Sequence, residues 1–205
     1  MLTVNGDRDV VERQLGSGEL ACPSCGGMLG GWGNGVTRRV RQLGRDDEMV
    51  TPRRSRCRRC LATHVLLPAQ LLSRRADAGA VIGRALEAKA AGSGHRAIAV
   101  LLGRPESTVR GWLRALARNA GRVRERFTSL AASLVTDPPL PAPAGSPAAD
   151  AVAAVAAAAA AAVMLHGVSG VARWELASAV TCGLLLAPSW PAGRGNASWL
   201  WAAAS

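Results

Sequence analysis

The sequence predicts a mainly α protein carrying a small β zinc ribbon near its start, and three observations carry that reading. Two cysteine pairs, Cys22-Pro-Ser-Cys25 and Cys57-Arg-Arg-Cys60, stand 31 residues apart. The stretch from Gly94 to Leu116, GHRAIAVLLGRPESTVRGWLRAL, has the apolar spacing of two short helices meeting at a glycine. Farther on, residues 148–163 hold 12 alanines in 16 positions, the composition of a strong helix former.

The cysteines come first in the chain. A C-x-x-C turn aims two thiolates at one tetrahedral ion while backbone N–H groups face the sulfurs, and two such turns complete a closed site. Cys22, Cys25, Cys57 and Cys60 are therefore the candidate ligands of one structural Zn2+ per chain. Gly26 allows the first knuckle its tight turn. Between the pairs, Asn34-Gly35 signals a hairpin, residues 36–43 read as a strand, and residues 44–47 form a polar turn before another short strand over residues 49–51. Disulfides do not suit an intracellular chain, and a redox C-x-x-C pair would need a βαβ scaffold that the pattern lacks. Four thiolates leave no open position for water, so the site is expected to be catalytically inert. His64, four residues beyond Cys60, is an alternative ligand that four thiolates make unnecessary.

In the helical stretch, Ile98, Ala99 and Leu102 form one inward stripe, and Val109, Trp112 and Leu113 form the facing one. Gly103 falls where the first helix ends and the chain turns, and Pro105 sits at the mouth of the second helix, where a missing N–H costs nothing. This is the pattern of a helix-turn-helix. The outward residues of the second helix are Glu106, Ser107, Arg110, Gly111 and Arg114, a set able to reach base edges and phosphates in a major groove, with Thr108 placed for backbone contact. Any two short helices joined by a glycine would satisfy the apolar spacing alone, so the surrounding charge matters.

That charge is uneven. Residues 37–127 carry 21 basic residues against seven acidic ones, a net of +14 within a chain whose total is +11. A basic block centred on a helix-turn-helix is the electrostatic footprint of a nucleic-acid binder. Arg54, Arg56, Arg58 and Arg59, crowded around the second cysteine knuckle, read as phosphate contacts beside double-stranded DNA, with a solvated face as the plainer alternative. RNA ranks last, because no aromatic residues interleave these arginines. The opening residues have no apolar run of the signal-peptide kind, so the expected location is cytoplasmic and nucleoid-associated. No small-molecule substrate is indicated.

The order of these parts, a CPSCG knuckle, a basic segment ending RRSRCRRC, then THVLLP and a helix-turn-helix, resembles the N-terminal DNA-binding region of insertion-sequence transposases. It is more similar still to an uncharacterised actinobacterial family of short proteins with this zinc ribbon and an LGRPESTVRGWLR-type helix. The resemblance covers residues 18–118 and implies that Cys22, Cys25, Cys57 and Cys60 hold the metal, that residues 106–114 form the recognition helix, and that THVLLP begins a connector. A transposase also needs a core with three carboxylates on two metal ions. After the helix-turn-helix only Glu125, Asp137, Asp150 and Glu175 are acidic, so no nuclease or strand-transfer activity is read here.

Residues 134–149 contain five prolines and read as a semi-rigid linker. An alanine-rich helix follows, then a second helix over residues 171–186 with Trp174, Leu176, Val180 and Leu184 at helical spacing. The alanine run is long enough to span a bilayer, but alanine contributes little transfer free energy and aromatic or basic anchors are missing, so it reads as a docking or self-association helix or as a floppy low-complexity tail. The expected domains are an N-terminal segment (1–17), a zinc ribbon (18–68), a helix-turn-helix DNA-binding domain (72–127), the linker (134–149), an Ala-rich helical region (150–187) and a disordered tail (188–205). The leading expectation is a non-enzymatic, zinc-containing, mobile-element-related DNA-binding protein without a catalytic core, and one alternative makes it part of a split system that recruits a separate transposase or integrase through the C-terminal helices. Another alternative is a transcriptional regulator binding DNA as a dimer.

Overall fold

Alternation of inward and outward side chains organises the first seventy or so residues. The computed structural model describes residues 1–138, 140–166 and 172–188, and among these the chain is mainly α-helical with small sheets. Strand β1 (Leu2–Val4) runs parallel to β6 (Thr63–Pro68), which pairs antiparallel with β5 (Arg53–Cys57), which in turn pairs with β2 (Leu29–Asn34). Helix α1 (Arg8–Ser17) starts at Asp7, whose carboxylate accepts the Asp9 N–H, and stops at Gly18 in the left-handed conformation. It lays Val11 and Leu15 on one face of the sheet, against Leu2, Val4, Leu29, Cys57 and Leu66. Glu12 reaches down to Arg53, 2.5 Å away, and ties the helix to β5.

Several expectations change here. Residues 1–17, read as a separate segment, supply a strand and the covering helix of the ribbon sheet. Asn34-Gly35 does not close a hairpin between paired strands. Strand β2 ends there, the Gly35 N–H donates to the Pro52 carbonyl, and a separate two-stranded hairpin follows, β3 (Arg38–Val40) with β4 (Glu48–Val50). The RRSRC run is β5, and THVLLP is not the start of a connector but an interior strand between β1 and β5. Its alternation is visible in burial, with His64 and Leu66 inside and Val65 outside.

Helices α2 (Gly79–Ala90), α3 (His95–Leu102) and α4 (Glu106–Leu134) share one core. Ile98, Ala99, Leu102, Val109 and Trp112 are buried in it with Ile82 and Leu86, while Leu113 lies half-buried at its edge. Gly103 takes φ 60° between α3 and α4, a conformation that favours glycine. Helix α4 runs for 29 residues, well past the segment expected to contact DNA. Its second half presents Val123, Phe127 and Ala131 to helix α5 (Pro147–His166), whose small side chains permit close packing. The connection over residues 135–146 therefore returns the chain onto α4, and Pro147 opens the new helix at a position where proline is tolerated.

Among the described residues, α5 is the helix whose length and composition would suffice to cross a membrane, and 56% of its most apolar window is buried inside the protein. Helix α6 (Arg173–Val180) is shorter than the expected 171–186 and ends in turns. Trp174 lies over Gly83, where any Cβ would meet the indole, and donates its Nε1–H to Glu87. Asn119, buried on α4, donates to the Leu185 and Ala187 carbonyls and fixes those turns. Of the tail read as disordered, residues 189–205 lie outside the described residues.

Candidate metal centre and nucleic-acid interface

Two backbone turns of the same design bring the cysteines together. In the first, the Cys22 N–H donates to the Gly27 carbonyl and the Gly26 N–H returns to the Cys22 carbonyl, both at 2.8 Å. In the second, the Cys57 N–H donates to Ala62 and the Leu61 N–H to Cys57, at 2.9 and 3.1 Å. Gly26 and Leu61 occupy matching positions and share a left-handed backbone, φ 71° and 61°. Gly27 has a separate reason to be glycine: a Cβ there would stand 2.7 Å from the Arg59 Cβ and 3.1 Å from the Cys57 Sγ.

The four Sγ atoms of Cys22, Cys25, Cys57 and Cys60 lie within 4.8 Å of one another, with Cys22 to Cys60 at 3.7 Å and Cys25 to Cys57 at 3.5 Å. All four are free thiols that converge on one point, a set able to hold a metal ion. Backbone donors have already been aimed at them. The Cys60 N–H and, against burial, the Arg59 N–H hold the Cys57 thiol down at about 6. Burial pushes Cys22 up, but the Ser24 and Cys25 N–H groups and the Cys60 thiol outweigh it and bring Cys22 below its ordinary value. The Ala62 N–H pulls Cys60 down, while the Cys25 thiol, burial and the Cys57 and Cys22 thiols push it up to about 11. A cluster in which one thiol ionises easily and another resists is what like charges crowded around one point produce.

Sequence reasoning set His64 aside as a ligand, and the structure places it just outside the cluster. Its Nε2 is 3.3 Å from the Cys22 Sγ and its Nδ1 is 3.5 Å from the N-terminal amine. Burial and the charge of that amine lower its pKa, favouring a neutral ring with one N–H to give to sulfur. The alternation of β6, which turns His64 inward beside Ser55 on β5, was the missed signal.

The residues expected on the recognition helix line the outside of α4. Glu106, Ser107, Arg110, Gly111 and Arg114 are exposed and Thr108 is half-buried. Glu106 lies 3.6 Å from Arg96 and 3.9 Å from Arg110, and Arg110 also approaches His95 at 3.3 Å. Arg114 has no hydrogen bond or ion pair among the described residues. The ribbon arginines separate into two groups. Arg54 and Arg56 point away from α1, and the Arg58 guanidinium lies over Gly30 on that same outer face. Arg59 instead donates to the Cys25 carbonyl beside the cysteine cluster.

Residues 22–112 match a family described as a domain of unknown function, DUF6431. That span begins on Cys22, the first cysteine of the cluster, and ends on the buried Trp112 of α4, so it takes in both the cysteine cluster and the α3–α4 turn. Neither the curated proteins nor the solved structures contain a match.

Proposed function

We propose that this chain is a non-enzymatic, zinc-stabilised protein that binds double-stranded DNA by laying the first turns of α4 in a major groove. The observation that carries the reading is the one-sidedness of those turns. Val109 and Trp112 are spent on the core, while Glu106, Ser107, Arg110, Gly111 and Arg114 face outward. A Cβ on Gly111 would meet nothing within 4 Å, so its lack of a side chain serves no internal packing and suits close approach to DNA. Glutamate among arginines restrains nonspecific phosphate binding and suits readout of cytosine edges.

Zinc is the metal favoured by four thiolates. Tetrahedral Zn–S bonds of about 2.3 Å separate sulfurs by roughly 3.8 Å, and the observed 3.5 and 3.7 Å approach that spacing. The resemblance to the DNA-binding regions of insertion-sequence transposases supports a mobile-element role in which a separate transposase or integrase supplies chemistry. Ten residues of α5 are buried within the chain, which weighs against self-association through that helix.

The test is selection of zinc-loaded protein against a random duplex library at physiological salt. A defined motif is expected, and Arg110→Ala and Arg114→Ala should each weaken binding to it by about 1–3 kcal/mol. Unchanged affinity and specificity in both variants would remove α4 as the reading element. A palindromic motif would favour the dimeric regulator over an element-end binder.

A further inference from the structure

The ribbon sheet has one face covered by α1, and its other face is covered by α6 and the following turn only over Thr3 on β1 and Leu67 on β6. The part formed by β2 and β5 is left open, and that open part is chemically distinctive. Trp32 stands half-exposed on it, at 50%. The Arg56 guanidinium carbon lies 4.7 Å from the Trp32 ring centroid. Beside this pair, Arg58 lies over Gly30, whose missing side chain makes room for it. Arg54, two positions before Arg56 on the same strand face, pairs across to the exposed Val65. Arg54 and Arg58 have no side-chain hydrogen bond or ion pair among the described residues. Trp32 stands 22 positions before the nearest of the three arginines, so nothing in the linear order of arginines reveals the tryptophan among them.

We propose that this outer sheet face is a second nucleic-acid site, one that takes an unpaired strand by stacking a base on Trp32 and holding the flanking phosphates with Arg54, Arg56 and Arg58. Unpaired bases have free π-faces, which an indole can cover whatever the sequence, and phosphates complement a row of arginines. A duplex satisfies only half of this, because its bases are already stacked. An acidic protein segment would match the charge but offers no repeated planar face to the indole. The site is separate from the outward face of α4 and does not depend on it. For a protein that acts at DNA ends or melted segments, it would add a grip on the displaced strand beside a grip on the duplex.

The experiment uses the full, metal-loaded chain and two fluorescent probes, a single strand of about 12 thymidines and the duplex motif enriched by selection, or a random duplex if none is enriched. Trp32→Ala should weaken single-strand binding by roughly five- to a hundredfold, the range for losing one stacked base. Trp32→Phe should keep most of it, and neither should change duplex affinity by more than about twofold. Arg54→Gln with Arg58→Gln should flatten the salt dependence of single-strand binding by roughly 0.7 for each phosphate no longer neutralised. Single-strand binding unaffected by Trp32→Ala and by the double arginine variant would overturn the proposal. So would an affinity of the wild-type chain for an acidic peptide that exceeds its affinity for the single strand and is lost in Trp32→Ala. Should Trp32→Ala release metal, Trp32→Phe and the arginine pair decide instead. Failure of the α4 reading would appear separately, as Arg110→Ala and Arg114→Ala leaving duplex binding intact.

Discussion

Arg104, at the turn between α3 and α4, donates its Nε–H to the Oδ1 atom of Asp77 at 2.5 Å, and the carboxylate that receives it is almost fully buried. The same carboxylate takes Arg41 on its other oxygen, and the Arg104 Nη2 also donates to the Gln42 carbonyl. The α3–α4 turn is thereby bolted to the residue that leads into α2 and to the end of the β3–β4 hairpin. Arg104 belongs to the basic block that suggests DNA binding, yet its charge is consumed inside the protein.

Removing Asp77 leaves two guanidinium groups facing a site built for an anion. Asp77→Ala should cost about 3–5 kcal/mol of unfolding free energy, the usual penalty for breaking a buried pair from one side. Urea unfolding of Asp77→Ala, Arg104→Ala and the double variant checks this. The double variant should be much less damaged than the sum of the singles, and simple additivity would show that the two residues do not act as a pair.

His64 supports the cysteine cluster from outside. A hydrogen bond to a ligating sulfur offsets its charge and fixes its orientation, and loss of such a partner typically costs 10–100-fold in metal affinity. His64→Ala should weaken metal binding by about that much while leaving one metal per chain, and His64→Gln should restore part of the loss. Chelator competition reads the affinity, and cobalt substitution reads the ligand set. A cobalt spectrum that changes from mixed nitrogen and sulfur to sulfur alone in His64→Ala would instead make the histidine a ligand.

Much of this was legible in the chain. The C-x-x-C spacing carries the cysteine cluster because each knuckle is a local turn, needing only its own residues to form. The stripes of α3 and α4 and the αL glycine at 103 are likewise local. Helix α1 could have been read too, since Asp7 and Gly18 are start and stop signals, but a weakly apolar ten-residue segment gives little contrast. Strand β5 was hidden by its charge: Ser55 and Cys57 point inward while Arg54 and Arg56 point out, so alternation exists without an apolar signature. The docking of α5 on α4 and the meeting of Trp32 with Arg56 depend on tertiary packing and strand register, which no window of sequence contains.

The two knuckles differ at one equivalent position, and that difference can be tested. Leu61 adopts the left-handed conformation that Gly26 adopts in the first knuckle, at a cost of about 1–2 kcal/mol for a residue with a Cβ. Its side chain is mostly exposed, so little packing is lost on removing it. Leu61→Gly should stabilise the metal-loaded protein by up to about 1 kcal/mol, the relief of strain exceeding the extra flexibility given to the unfolded chain. Gly27→Ala should act in the opposite direction and weaken metal binding, because its Cβ collides with Arg59 and crowds the Cys57 sulfur. Thermal melts with and without chelator read both. A destabilised Leu61→Gly would mean that the packing of the leucine side chain outweighs its backbone strain.

Glu175, in the first turn of α6, offers a test by pH. Burial raises its pKa above the ordinary carboxylate value, and the nearby Arg173 is engaged with Glu87 instead. With a folded-state pKa above the unfolded one, the unfolded chain gives up this proton first. Ionisation therefore opposes folding, and the stability present below the unfolded value, about 4.3, is lost as pH rises through the raised one. Glu175→Gln keeps the shape without the charge. It should be more stable than wild type at neutral pH, with the difference closing as pH falls toward 4 or so. Urea unfolding at several pH values measures the gap. A variant that is less stable at neutral pH and no better at low pH would show that the carboxylate makes a favourable charged interaction in the folded protein, reversing the sign argued from its burial.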